Sequence, residues 1–359
     1  MEADMNRKRT DNVLNRLQAD KVLVSDPIAI QYLIGTLFYP GERFLGLLLG
    51  KKERPKLFLN ALFPWQGDED IDLITYHDGQ DISELLRPYV GPDCILGVDK
   101  TLQARFLLPM QNAKIAAAFV DGSLAVDRSR AVKDEEELAL MRRSSQINDE
   151  AMGIFRTLVH EGVTEKEVAD RIPEIYQRLG AEGNSFGSIV AFGKNAADPH
   201  HMPDDTVLKK GDAVLFDVGC VYKGYCSDMT RTFFFAEGPD EKQKKVYDLV
   251  RKANEDAESC IRAGVRLCDI DRVARDVIEK GGYGQFFTHR LGHFIGIEVH
   301  EYGDVSASFT DLTEPGNVFS IEPGIYDPDT LGCRIEDLVV VTEDGCEVLN
   351  HYPHDIEVI

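Results

Sequence analysis

The sequence predicts an α+β protein in two parts: an N-terminal α/β domain over residues 1–125 and a larger α+β domain over residues 126–359. Three observations carry that prediction. Short apolar runs alternate with helix-like stretches up to about residue 122. A helix start stands at Asp134, and beyond it a pattern of helices followed by strand-rich sequence occurs twice.

In the first part, KVLVS, FLGLLLG, PKLFLN and CILGVD read as buried strands and ISELLRPYV as a helix. The most apolar early segment, VLVSDPIAIQYLIGTLF, is interrupted by Asp26, Pro27 and Gln31, and no run reaches membrane-spanning length, so no membrane partner is expected. MEADMNRKRTDN runs into no apolar stretch, which predicts no signal peptide. The junction DGSLAVDRSRAVKDEEE leads to a capping box, Asp134 with Glu137, that opens a long helix. Beyond it, EGVTEKEVADRI at 161–172 aligns with AGVRLCDIDRVA at 263–274, an offset of 102 residues that also matches Ile147 to Leu249 and Ala151 to Ala253. Strand-rich sequence follows each, at 212–236 and 292–342, as a duplicated unit would give; a Gly-Val turn shared by chance is the alternative.

A formal charge of 40 − 62 = −22 argues against nucleic acid as a partner, because phosphates demand a basic footprint. It leaves cations open. Seven cysteines, odd in number and without a CxxC pair, argue against a disulfide framework or zinc–thiolate site and predict a reducing, cytoplasmic location.

The chemistry lies in acids placed on apolar strands. Asp217 closes AVLFDV and Asp228 opens DMTRTFFF; as hairpin partners the two would face each other. On the second strand Asp228, Thr230 and Thr232 share one face, and Met229, Arg231 and Phe233 the other. One explanation is structural, with Arg231 pairing one aspartate and the turn capping the other. Further acids weaken it: Glu322 ends the strand in GNVFSIEPGIY, and in RIEDLVVV one face of a strand carries Arg334, Glu336, Leu338 and Val340. HRLGHFIGIEVHE adds His289, His293 and His300. Four uncompensated carboxylates do not belong in a core. Two divalent cations would balance them, and a water between the ions would lose its proton near neutral pH and act as nucleophile. The spacing of seven between His293 and His300 sets them on opposite faces of a regular strand, so a bulge or turn is needed if both serve one site.

The order Asp-x10-Asp, GHFIGIEVHE, IEPGIY and CRIED resembles the pita-bread metallopeptidases, specifically the prolidase and aminopeptidase P branch, over essentially the whole chain. The resemblance implies a creatinase/prolidase-like N-terminal domain and a pita-bread catalytic domain of pseudo-two-fold helix pairs and β-hairpins. It implies the metal ligands Asp217, Asp228, His293, Glu322 and Glu336. It further implies active-site roles for His200 (in ADPHHMP, where His201 is read as solvated), His289, His300 and Arg334, and proton acceptance by Glu322. The histidines would donate to the substrate or oxyanion, and Arg334 would orient Asp228 or another ligand carboxylate. The oxygen-rich donor set favours two Mn²⁺ ions, with Co²⁺, Fe²⁺ or Zn²⁺ as alternatives. The substrates implied are proline-containing dipeptides or short peptides, cleaved before proline by a homodimer. An Xaa-Pro dipeptidase is the first reading and an Xaa-Pro aminopeptidase the second. A catalytically dead binding module of this fold is the third, and the intact ligand set opposes it. Tyr39-Pro40-Gly41, Phe294 and Gly303 depart from residues common in the branch.

Overall fold

A computed structural model describes residues 7–359. Part of the segment from which no signal peptide is expected, residues 1–6, lies outside the described residues. The structure divides into two compact units at Arg130/Ala131, where the sequence reading set the boundary between 125 and 126.

The first unit is a six-stranded mixed sheet: β1 (Lys21–Val24), β2 (Gly46–Gly50), β3 (Lys56–Asn60), β4 (Asp72–Tyr76), β5 (Ile95–Val98) and β6 (Ala118–Asp121), in the order β4-β3-β2-β1-β5-β6. Its helices are α1 (Arg7–Arg16), α2 (Pro27–Ile34), α3 (Ile82–Val90), α4 (Ala104–Asn112) and α5 (Ser123–Ala131). The residues that interrupt the early apolar segment start a helix: the Asp26 carboxylate accepts from the Ile28 amide, and Pro27 takes the first helical position. The core is Leu23, Phe44, Leu48, Phe58 and Leu96, all buried.

The second unit opens with α6 (Glu135–Phe155), and the Asp134/Glu137 capping box is formed. Then come α7 (Glu165–Ala169), α8 (Ile172–Arg178), and strands β7 (Gly183–Asn184), β8 (Ile189–Phe192), β9 (Ala213–Val218), β10 (Cys220–Tyr222), β11 (Tyr225–Cys226) and β12 (Met229–Phe234). The second half repeats the plan with α9 (Glu241–Cys260) and α10 (Leu267–Lys280). They precede β13 (Gly292–His293), β14 (Asp304–Val305), β15 (Val318–Ile321), β16 (Gly324–Asp327), β17 (Leu331–Arg334), β18 (Asp337–Val341) and β19 (Cys346–Val348). Each half has its own apolar cluster: Ile147, Phe155, Tyr176 and Phe216 in the first, Val250, Ile270, Ile278 and Phe319 in the second. Among the described residues no helix is long and apolar enough to cross a membrane.

Candidate metal centre and active site

Strand ends deliver the acids. Asp217 lies in β9 opposite Thr230 of β12, not opposite Asp228 as the sequence reading has it; Asp228 stands just before β12. The register shifts because the connection contains a hairpin of its own, β10–β11, turned on Lys223 and Gly224 at φ 48° and 80°. Nor is RIEDLVVV one strand. β17 ends at Arg334 and β18 begins at Asp337, leaving Ile335 and Glu336 between them; the Glu336 amide donates to the Thr230 carbonyl at 3.1 Å. The Thr230 hydroxyl donates to Glu336 Oε2 at 2.7 Å, which holds that carboxylate beside Asp217 and Asp228.

His293 depends on a close approach. A Cβ at Gly292 would come within 1.8 Å of the Ser320 carbonyl oxygen, so glycine lets β13 close on β15. The Ser320 hydroxyl accepts from the His293 amide at 3.0 Å and donates to Glu322 Oε1 at 3.2 Å. His293 Nδ1 donates to the Phe294 carbonyl at 3.3 Å, which leaves the Nε2 lone pair facing Asp228 Oδ2 at 3.7 Å and Glu322 Oε1 at 3.6 Å. The chain turns directly afterwards, with Phe294 bonded through its amide to Gly303 and through its carbonyl to the Glu301 amide. The turn returns His300 to His293, ring centroids 4.2 Å apart. Phe294 itself packs in the core against Phe319, 5.3 Å between centroids.

All nine expected site residues border one cavity of about 540 Å³: His200, Asp217, Asp228, His289, His293, His300, Glu322, Arg334 and Glu336. Its apolar wall includes Phe186, Ile189, Pro199 and Val299. Arg334 is buried and pairs with Asp217, not Asp228; its Nη2 donates to Asp217 Oδ2, its Nε to the Thr230 hydroxyl at 3.0 Å, and its Nη1 to the Tyr326 hydroxyl at 2.7 Å. His289 has no free ring nitrogen. Nδ1 donates to the Arg290 carbonyl at 2.6 Å, so Nε2 accepts from the Tyr326 hydroxyl at 2.7 Å. His201, read as solvated, is bonded to Glu165 at 2.6 Å. Arg231 pairs with neither site aspartate; it meets Asp337 at 2.7 Å.

The electrostatics are those of a cluster short of cations. Burial, and then Glu336, Asp217 and Glu322, push the Asp228 carboxyl well above its ordinary range. Burial and neighbouring acids raise Glu336 likewise and push Glu322 up to about 7. Burial holds His293 down at about 3 and His289 at about 4, so both rings are neutral at pH 7. The buried Oδ1 atoms of Asp217 and Asp228 have no hydrogen-bond partner. Asp228, His293 and Glu336 each turn a ligand atom to within 4.8 Å of the others. Orphaned carboxylate oxygens around a neutral imidazole lone pair fit hard divalent cations.

Tyr326 is the site residue that sequence reasoning passed over. It lies in the quoted IEPGIY, but its role depends on the pairing of β16 with β17, where Gly324 stands opposite Arg334. Thr230 was legible only as sharing the face of Asp228.

Residues 139–343 match the sequence profile of metallopeptidase family M24, and residues 7–132 that of the creatinase/prolidase N-terminal domain. The chain is 37% identical over 347 residues to an uncharacterized peptidase of Staphylococcus aureus (strain MW2), covering 94% of this chain and 97% of that one. It superposes on the Xaa-Pro dipeptidase from Bacillus anthracis with a TM-score of 0.88 at 29% identity, covering 98% of each chain. With the X-Pro aminopeptidase from Thermotoga maritima the TM-score is 0.84 at 30% identity, covering 98% of this chain and 100% of that one. With two pita-bread halves, a creatinase-type N-terminal unit and its acids and histidine gathered in one cavity, the chain belongs to metallopeptidase family M24.

Proposed function

We propose that this chain hydrolyses the bond before proline in short peptides, acting first as an Xaa-Pro dipeptidase. The observation that carries the reading is the set of orphaned, buried carboxylate oxygens in a cavity with an apolar wall. An Xaa-Pro bond is a tertiary amide without an N–H, so a substrate needs no ladder partner on that side. A cavity of about 540 Å³ walled by Phe186, Ile189 and Val299 accepts a compact apolar ring.

Asp217, Asp228, His293, Glu322 and Glu336 would hold two divalent ions, Mn²⁺ by preference for their oxygen-rich donor set. Bound there, the ions supply Lewis acidity toward the scissile carbonyl and toward water. Glu322, which lines the same cavity as His289, His293 and His300, takes up a proton. His300, beside His293, and His200, at the cavity wall, donate to the substrate carbonyl. Arg334 orients Asp217 through its Nη2, and through Tyr326 it fixes the tautomer of His289. The same reading makes the active form a homodimer.

The second reading, an Xaa-Pro aminopeptidase, is supported by the likeness to the Thermotoga maritima enzyme, at a TM-score of 0.84 against 0.88 for the dipeptidase. Protein reconstituted with Mn²⁺ and offered Ala-Pro together with Ala-Pro-Ala separates the two by mass spectrometry. Free proline with intact tripeptide is the expected outcome. Conversion of the tripeptide to Ala and Pro-Ala establishes the aminopeptidase. Neither product, with two ions bound per chain, overturns both.

A further inference from the structure

Glu165 opens α7 behind its N-cap Thr164, and its side chain is fully buried. Each of its oxygens meets two donors. Oε1 accepts from the Phe192 amide at 2.7 Å and from Asn195 Nδ2 at 2.9 Å. Oε2 accepts from the Asp204 amide at 3.1 Å and lies 2.6 Å from His201 Nε2. An ionised carboxylate only accepts, so His201 Nε2 carries the hydrogen. Glu165, His201 and Asp204 stand close enough to resemble a metal site. Yet four donors already occupy the Glu165 oxygens, where the Oδ1 atoms of Asp217 and Asp228 lack partners. This cluster is a clamp.

What it clamps is the loop that carries His200. The four donors belong to residues 192–204, and the backbone closes the ring from the other side: the Glu165 amide donates to the Thr206 carbonyl at 3.2 Å, and the Lys166 amide to the Asp204 carbonyl at 3.1 Å. Asn195 Nδ2 also reaches the Thr206 hydroxyl at 3.0 Å. The loop is wedged on its other flank as well. A Cβ at Gly332 would come within 2.0 Å of the Ala196 carbonyl group, and Gly332 lies in β17, two residues before Arg334. Of the two consecutive histidines, His201 is spent on Glu165 and His200 lines the cavity.

We propose that Glu165, acting through His201 and the amides of Phe192 and Asp204, is a positioning residue that sets His200 in the active-site wall. The inference deepens the function proposed above and rests on the role given there to His200. The test compares full-length, Mn²⁺-loaded wild type with E165Q, H200A and the double variant. In E165Q an NH₂ group replaces an oxygen that faces donors, which unlocks the loop without changing its size. We expect kcat on Ala-Pro to fall between about 10- and 100-fold, the scale of a misplaced catalytic group, with metal stoichiometry unchanged. In the H200A background the same change should cost less than about twofold, because residues that act as a unit are not additive. Hydrogen exchange at the amides of residues 192–206 should quicken in E165Q, a readout that needs no substrate. An equal loss with and without His200, unchanged exchange in the loop, or an H200A enzyme as fast as wild type overturns the proposal. Should E165Q fail to fold, H201A removes one of the four donors and is read in the same cycle against H200A. A wild type inactive on both peptides would sink the Xaa-Pro reading, and the exchange experiment would still decide whether Glu165 holds the loop.

Discussion

Two clusters in the catalytic unit combine carboxylates with a histidine, and they differ in one respect. Around Glu165 each carboxylate oxygen meets protein donors, two of them backbone amides. Around Asp228 the acids face one another and a neutral imidazole, and buried oxygens on Asp217 and Asp228 have no partner. The two clusters share residue types and differ in hydrogen-bond satisfaction.

The contrast can be broken by mutation. Asp228→Asn or Glu336→Gln should reduce hydrolysis by about 10²–10³-fold or more, as loss of a group that meets developing charge does. Metal analysis should find fewer than two ions per chain, while the metal-free variant melts no lower than the metal-free parent, because one of several crowded acids has been neutralised. A variant that kept both ions and full activity would refute the ligand assignment.

Arg231→Met attacks a satisfied acid from the other side. Arg231 and Asp337 are almost fully buried at 1% and 0% exposure, and Arg231 together with His354 holds the Asp337 carboxyl below its ordinary range against burial. Removing the guanidinium leaves the buried Asp337 carboxylate with His354 and Asn254 as its side-chain partners and should cost about 3 kcal/mol by chemical denaturation. Arg231 Nη1 also donates to the Glu336 carbonyl, so weaker metal retention should follow.

The smallest effect is one of pH. In metal-free protein the folded-state values of Asp228, Glu336 and Glu322 are raised, Glu322 to about 7. The Glu322 contribution to stability is therefore fully present below its unfolded value and is lost as pH rises through about 7, and Asp228 and Glu336 act in the same direction. Glu258, pushed up to about 8 by burial and Asp337, adds to the same trend. Melting temperature of chelated protein should fall between pH 5 and pH 8, and Glu258→Gln should remove only part of the slope. With Mn²⁺ present the trend should flatten or reverse, since ions and protons compete for the same oxygens. A melting temperature that rises with pH in the chelated protein would contradict the raised values.

Sequence patterns made local features legible and left remote ones hidden. The Asp134/Glu137 capping box follows from four consecutive residues and formed as expected. The strands KVLVS, FLGLLLG, PKLFLN and CILGVD are present because apolar runs between turn residues have few alternatives. The nine site residues share one cavity, although their roles came from family likeness and not from periodicity. Three contacts had no signal in the sequence: the register that sets Asp217 opposite Thr230, the Tyr326 hydroxyl between His289 and Arg334, and the pairing of Glu165 with His201, 36 residues apart. Each depends on how two distant segments are aligned, which neither a period of 2 nor one of 3.6 encodes. The turn between His293 and His300 was legible only as a requirement, since strand alternation forbade the geometry the site needs.

The gap at Ile335–Glu336 has a consequence for how such a protein could be improved. A designer seeking a tidier sheet would join β17 to β18 and extend the ladder through both positions. Uninterrupted pleating would take Glu336 out of the bridge that presents it to Thr230 and Asp228. Regularity and reactivity compete at those two residues, so substitutions that raise melting temperature there should be screened for turnover first.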